Sequence, residues 1–280
     1  MIRSVKSWKG IAIVWLFSLS LVSLVAIPMK SALKSGLGNS MITEKLENGI
    51  NVEVFADLGA VFKSVSSYFS SGLFMALVIG FVINSFLAGG LFDSMKVSGG
   101  TFKPGEFFRA SAKNFWSFVV ISFVINLIII ILAILIIVIP VSIVFQSEIS
   151  SEGTVFKTTA IAASFFLLVL TLMLLVADYA RAWQVKNDKI ECFKALGFGF
   201  SHTFRTFLSS YPLMLILLIC QLLYGWLFFC ILQGFMPAAG GGIVLLFLLT
   251  QMLFFIKILL KVWRYGSVTR MMELTCYPIV

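Results

Sequence analysis

"INLIIIILAILIIVIPVSIVF", Ile125 to Phe145, carries no charged residue. About 20 such residues in a helix cross the hydrocarbon core of a bilayer. A strand of a membrane barrel would instead alternate apolar and polar positions over about ten residues, and this stretch has no alternation. It therefore predicts a transmembrane helix. The remainder of the chain has the same character. Over 280 residues, 60% are hydrophobic and 12% charged, and mean hydropathy is +1.06. A soluble domain would carry about 25% charged residues. The expected fold class is all-α: a polytopic membrane protein forming one integral membrane domain over 1–280.

Six apolar runs satisfy the length requirement, at 10–27, 72–92, 115–145, 158–177, 212–235 and 243–262. The first follows Arg3, Lys6 and Lys9, as a signal peptide would. Its apolar run is longer than a typical signal core, and no small-residue cleavage site follows in "IPMKSALKSG", so an uncleaved first helix is expected. With six spans, 16 Lys and Arg fall on the side of both termini and five on the other. The acids divide evenly, giving +10 against −1 within the total of +9. The positive-inside rule then places both termini in the cytoplasm of a cell (inner) membrane. The basic balance reports topology, so nucleic acid is not an expected partner. No cysteine lies in an outer loop, and no disulfide framework is implied.

The one long outer loop is 29–71. Val54, Phe55, Leu58, Val61, Phe62, Val65 and Phe69 recur at helical spacing, predicting an amphipathic helix on the outer leaflet or a docking surface before span two. The inner loops hold a near-duplicate, "EFFRA" at Glu106–Ala110 and "ECFKA" at Glu191–Ala195. The same offset of 85 pairs Asp93 with Asp178 and Lys96 with Arg181. At 100° per residue, Glu106, Arg109 and Lys113 oppose Phe107, Phe108 and Phe115. Glu191, Lys194, His202 and Arg205 oppose Cys192, Phe193, Leu196, Phe200 and Phe204. Both segments therefore predict cytoplasmic interfacial amphipathic helices with basic polar faces. Asp188 with Glu191 three residues on is a capping box. Lys103, Pro104 and Glu106 place a proline at N1 and a glutamate again at N3. A repeat of helical hairpins follows, each with an interfacial foot, and "IRSVKSWKG" is a degenerate first copy.

Polar residues inside the spans are few. Asn84, Asn126, Gln221 and Gln251 are candidate interhelical contacts, with Gly80, Asn84 and Ala88 on one small-residue stripe. Lys257 lies close enough to Lys261 and Arg264 to snorkel to the interface. Asp178 and Arg181 form an i, i+3 pair; it reads either as an interfacial ion pair or as a headgroup site. Lys96, Arg109, Lys113, Arg181, Lys194 and Arg205 are the candidate contacts for anionic lipid headgroups or a protein partner. One histidine, His202, cannot build a multi-histidine metal site. No nucleophile elbow, Walker loop, H-E-x-x-H or C-x-x-C is present. No catalytic residue and no cofactor are implied, and the chain is not expected to be an enzyme.

"GGLFDSMKVSG", Gly89–Gly99, and "ADYARAWQV", Ala177–Val185, resemble uncharacterised bacterial six-span membrane families. These are similar to the membrane domain associated with glycerophosphodiester phosphodiesterases. The resemblance implies a bacterial inner-membrane protein; the phosphodiesterase domain itself has no counterpart in the sequence. Ala195, Gly199 and Pro212 are also similar to part of the E-A-A-x3-G coupling loop of ATP-driven permeases, with the glutamate displaced to Glu191. The expected function is a non-enzymatic scaffold or a lipid- or partner-interacting membrane protein. The alternative is a permease subunit coupled to a cytoplasmic ATPase.

Overall fold

The computed structural model describes residues 8–37, 59–95, 102–146, 151–187, 191–234 and 240–276. Helix is the only regular structure among them. In order these are α1 (Trp8–Leu37), α2 (Gly59–Ser94), α3 (Pro104–Ala133), a π-helical turn (Ile134–Val138), α4 (Ile139–Gln146), α5 (Glu152–Asn187), α6 (Cys192–Arg205), α7 (Phe207–Gly234) and α8 (Gly240–Cys276). Five helical stretches are long and apolar enough to cross a membrane, and Trp8–Leu24 is a shorter apolar one. The apolar run at 10–27 lies within α1.

The chain divides into two compact units, residues 1–12 with 85–280, and residues 13–84. In the smaller, a glycine of α2 lies against a leucine side chain of α1. A Cβ on Gly80 would come within 3.2 Å of the Leu21 side chain. Because α2 runs unbroken from Gly59, its 59–71 portion is the start of the apolar helix, not a separate surface helix. The first part of the predicted stripe, through Leu58, lies outside the described residues.

In the larger unit several helices exceed what a membrane requires. Pro104 to Gln146 is one apolar helical run of 43 residues. At 1.5 Å per residue it is about 64 Å long, roughly twice the hydrocarbon thickness. Pro140 would normally break such a helix, because it has no N–H and its ring meets the carbonyl four residues back. Here the π-turn immediately precedes it, and the Ile139 N–H donates to Ile134 O. The widened turn carries the helix through the proline, a known use of π geometry.

Burial divides these helices lengthwise. The buried residues of α3 lie between Phe107 and Ile125, and the π-turn and α4 have none. In α5 burial is concentrated from Thr171 to Val185. In α8 the buried side chains run from Leu253 to Met272. The core therefore sits where α2 ends, α3 begins, α5 ends and α8 ends, which is the basic side of the chain. Ile121, Ile125, Met173, Val176, Ala177, Ala180, Ala195 and Leu196 form one cluster there. Phe92 stacks on Tyr265 at 4.4 Å and meets the edge of Phe118 at 5.9 Å. All three rings are at most 1% exposed.

Two close helix crossings set this packing. A Cβ on Gly89 would lie 3.1 Å from the Ser111 backbone. One on Gly199 would lie 2.6 Å from the Val176 carbonyl and 3.1 Å from Ala180 Cβ. At Gly199 only glycine permits such an approach, whereas a Cβ at Gly89 would force its neighbours to shift by a few tenths of an ångström.

The twin pentads diverge in structure. "EFFRA" is the first turn or two of α3 itself, so the separate amphipathic helix expected there does not exist. The reason is local: from Pro104 the stripe Phe107, Ala110, Ser111, Asn114, Ser117, Phe118 keeps its 3.6-residue period into the apolar run. Nothing interrupts it. "ECFKA" does open a separate 14-residue helix, α6, ended at Thr206.

Candidate functional site

The start of α3 matches the cap expected from its sequence in position but not in bonding. Lys103 is the N-cap residue, Pro104 follows it, and no side chain caps the backbone. Glu106 instead meets Lys103 Nζ at 3.4 Å. At α6, Glu191 is itself the N-cap, not the third residue of a capping box. Its carboxylate pairs with Lys194 Nζ at 3.0 Å. Asp188 lies outside the described residues. Both glutamates are thus engaged by lysines at the helix starts, where exposed pairs contribute at most a few tenths of a kcal/mol, of order 0.5.

The most concentrated polar chemistry is buried beside these starts. Asp178 of α5 has a fully buried side chain. Arg181, one turn on, donates from Nη1 to Asp178 Oδ1 at 3.1 Å and from Nη2 to Ser122 Oγ of α3 at 2.9 Å. From α8, Arg264 Nε lies 2.9 Å from Asp178 Oδ2. That last approach is an ionic contact without hydrogen-bond alignment. Asp178 Oδ2, Arg181 Nε and Arg264 Nε all remain buried without a hydrogen-bond partner. Three helices therefore meet in this cluster, α5 and α8 on the carboxylate and α3 on Arg181, with two cations against one anion. Asp178–Arg181 is no simple surface pair, and the period of the sequence could not show that Arg264 reaches it. The only signal was the spacing Lys257, Lys261, Arg264, which suits an interface equally well. Lys257 is exposed, as a snorkelling residue would be.

A second polar chain fixes the junction of α6 and α7. Ser210 Oγ donates to Thr206 Oγ1 at 3.0 Å, and Thr206 Oγ1 to the His202 carbonyl at 2.8 Å. The Tyr179 hydroxyl, 2.6 Å from Ser210 Oγ, is then the donor in that pair. The Thr206 carbonyl accepts from the Ser209 and Ser210 N–H groups, while its own N–H closes α6 on His202 O. A single residue thus ends one helix and starts the next.

His202 is buried, not on an outward polar face. Its ring stacks on Phe198 at 5.0 Å and meets Tyr179 edge-on at 4.6 Å. Its Nε2 lies 3.2 Å from Thr275 Oγ1. Thr275 gives its hydroxyl proton to Met271 O at 2.8 Å, so Nε2 is the donor. Burial, and secondarily the Arg205 charge, hold the imidazole below its usual pKa.

Helix α6 turns only part of its apolar face outward. Ala195, Leu196, Gly199, His202 and Thr203 face the core. Phe193 is 73% exposed, Phe204 63%, and Leu208 at the start of α7 87%. Lys194 and Arg205 are exposed beside them, and on α3 Arg109, Lys113 and Trp116 are exposed. Lys96 lies outside the described residues. Asn84 and Asn126 are exposed, while Gln221 and Gln251 are half-buried. Cys192, Cys220 and Cys230 are free thiols.

These features define a helical protein with membrane-length apolar helices rooted in a packed, basic end. Compared with protein-family models, curated proteins and solved structures, the chain matches none.

Proposed function

We propose that the chain is a non-enzymatic scaffold of the bacterial inner membrane, with α1 as a sixth span, both termini cytoplasmic and its basic end set against the cytoplasmic leaflet. The exposed face of α6 carries this reading. Phe193 and Phe204, eleven residues apart, lie within about 20° on the helical wheel, and Lys194 and Arg205 flank them together. Aromatic rings beside cations suit a surface of apolar chains and anionic headgroups. Arg109, Lys113 and Trp116 on α3 offer the same chemistry. The two close crossings, Gly89 with Ser111 and Gly199 with Val176 and Ala180, support the hairpin-repeat reading, because each joins a descending helix to the one that follows it.

A nitroxide at position 204, in protein whose native cysteines are replaced, tests the contact in nanodiscs containing phosphatidylglycerol. Leaflet contact makes the label accessible to oxygen and shielded from a water-soluble nickel complex. Lys194→Glu with Arg205→Glu should reverse that preference. Water-like accessibility in the parent protein would refute the reading.

The permease alternative is supported by α6 being a separate short helix between long ones, the form a coupling helix takes. A stoichiometric nucleotide-binding ATPase retained through mild extraction would establish it in place of the scaffold.

A further inference from the structure

The buried cluster on α3, α5 and α8 has a charge imbalance that the chain does not resolve. Arg181 and Arg264 contribute two positive charges and Asp178 one negative. Among the described residues no other carboxylate lies within ion-pair distance of either guanidinium. Both arginine side chains are nearly buried, 12% and 11% exposed, where an unmatched charge is unfavourable. Their Nε groups have no hydrogen-bond partner. Ser122 Oγ and Asp178 Oδ1 occupy the two Nη groups of Arg181. The Arg264 guanidinium also meets its neighbour Tyr265, with a side-chain hydrogen bond to it and its carbon 5.3 Å from the ring centroid.

We infer that Arg181 and Arg264 form a binding site for a monoanionic phosphate group, with Asp178 as the acid that holds the two guanidiniums side by side. One negative charge brings the cluster to neutrality. Arginine suits the role because its planar fork donates two parallel hydrogen bonds to phosphate oxygens. Depth agrees with this chemistry. Asp178 follows directly on the apolar run 158–177, and Arg264 lies two residues beyond the run 243–262. Both therefore stand at the level where phospholipid phosphates lie, and basic pockets between spans at that level bind lipid headgroups. Lys261, whose Nζ lies 5.8 Å from the Tyr265 ring centroid, is one turn from Arg264.

The alternative is a purely structural ion cluster, and the two differ in sign. Arg264→Gln leaves Arg181 and Asp178 as a neutral, hydrogen-bonded pair. If the cluster awaits an anion, this variant keeps its thermal midpoint without lipid and loses the gain from lipid. If the cluster is structural, the variant is destabilised equally with and without lipid.

The full chain, stripped of lipid in a neutral detergent, is titrated with short-chain phosphatidylglycerol, the matching diacylglycerol and inorganic phosphate, following the thermal midpoint. Phosphatidylglycerol should raise the midpoint and diacylglycerol should not. Arg264→Gln should weaken the apparent affinity by roughly tenfold to a hundredfold, the effect of losing hydrogen bonds to a charged group. Arg264→Lys should retain part of it. A rise with inorganic phosphate equal to that with lipid would keep the site and make free phosphate its source. Lys194→Glu with Arg205→Glu should leave the lipid response intact, which separates this site from the leaflet contact of α6. No response to either phosphate probe, or equal loss in Arg264→Gln with and without lipid, overturns the proposal.

Discussion

Two glycines of α6, two residues apart, provide a controlled measurement of how tightly that helix is docked. A Cβ on Gly197 meets nothing within 4 Å, whereas one on Gly199 sits 2.6 Å from the Val176 carbonyl and 3.2 Å from the Ala180 backbone nitrogen. Carbon prefers neighbours at about 3.5–4.0 Å, so Gly199→Ala must push α6 and α5 apart by about 1 Å. The obstacles are backbone and the Cβ of an alanine, neither of which can rotate away. Gly197→Ala should stabilise the protein by about 0.5–1 kcal/mol through helix propensity alone. Gly199→Ala earns the same propensity and loses about 1–3 kcal/mol to overpacking. Propensity cancels between the two variants, so the gap of about 1–3 kcal/mol isolates the contact. Thermal unfolding of the detergent-solubilised protein, followed by tryptophan fluorescence, reads the gap directly. Gly197→Ala should melt above the parent and Gly199→Ala below it. Equal midpoints would mean that α6 does not rest on α5 at this crossing, and the described core would be wrong there.

Two further outcomes follow from buried titratable groups. Burial lowers the His202 pKa below 6.5, so the unfolded chain takes up its proton first as pH falls. The associated stability is intact above 6.5 and declines from there down to the lowered folded value, then levels off. Thermal midpoints across that window should slope in the parent and flatten in His202→Gln; an unchanged slope would assign it to other groups. Asp178→Asn removes the anion that, among the described residues, both nearly buried arginines share, and should cost about 3–5 kcal/mol, measured as a loss of folded protein on gel filtration. A variant as stable as the parent would show that the arginines do not depend on Asp178.

The apolar runs were legible because a membrane helix announces itself by length and composition alone. Where helices end was less so. Span boundaries read from hydropathy stop at Ala177 and Val262, yet α5 and α8 continue to Asn187 and Cys276, because helix beyond the apolar run packs against other helix. The sequence pattern predicted two equal interfacial feet from two similar pentads. What distinguished them was the following stretch: α3 keeps its buried stripe unbroken, whereas Thr206 terminates α6 and restarts α7. For α6 the pattern turns the Phe193 and Phe204 face toward the leaflet, and both rings are exposed, but it groups Leu196 with them and His202 with the polar residues, whereas both are buried. Ala195 and Gly199 join them at the core, where close approach requires small residues. Arg264 was invisible as a partner of Asp178 because nothing local records a contact across 86 positions.

That separation orders the protein's synthesis. Arg181 follows Asp178 by one turn, so the acid gains a counter-ion as soon as α5 forms. Arg264 is made 86 residues later, some 4–17 s at ordinary elongation rates of about 5–20 residues per second. Throughout that interval the partly built chain holds a neutral pair, and only the arrival of the last helix brings the second cation. A ribosome that stalls before α8 would therefore release a chain with no surplus buried charge.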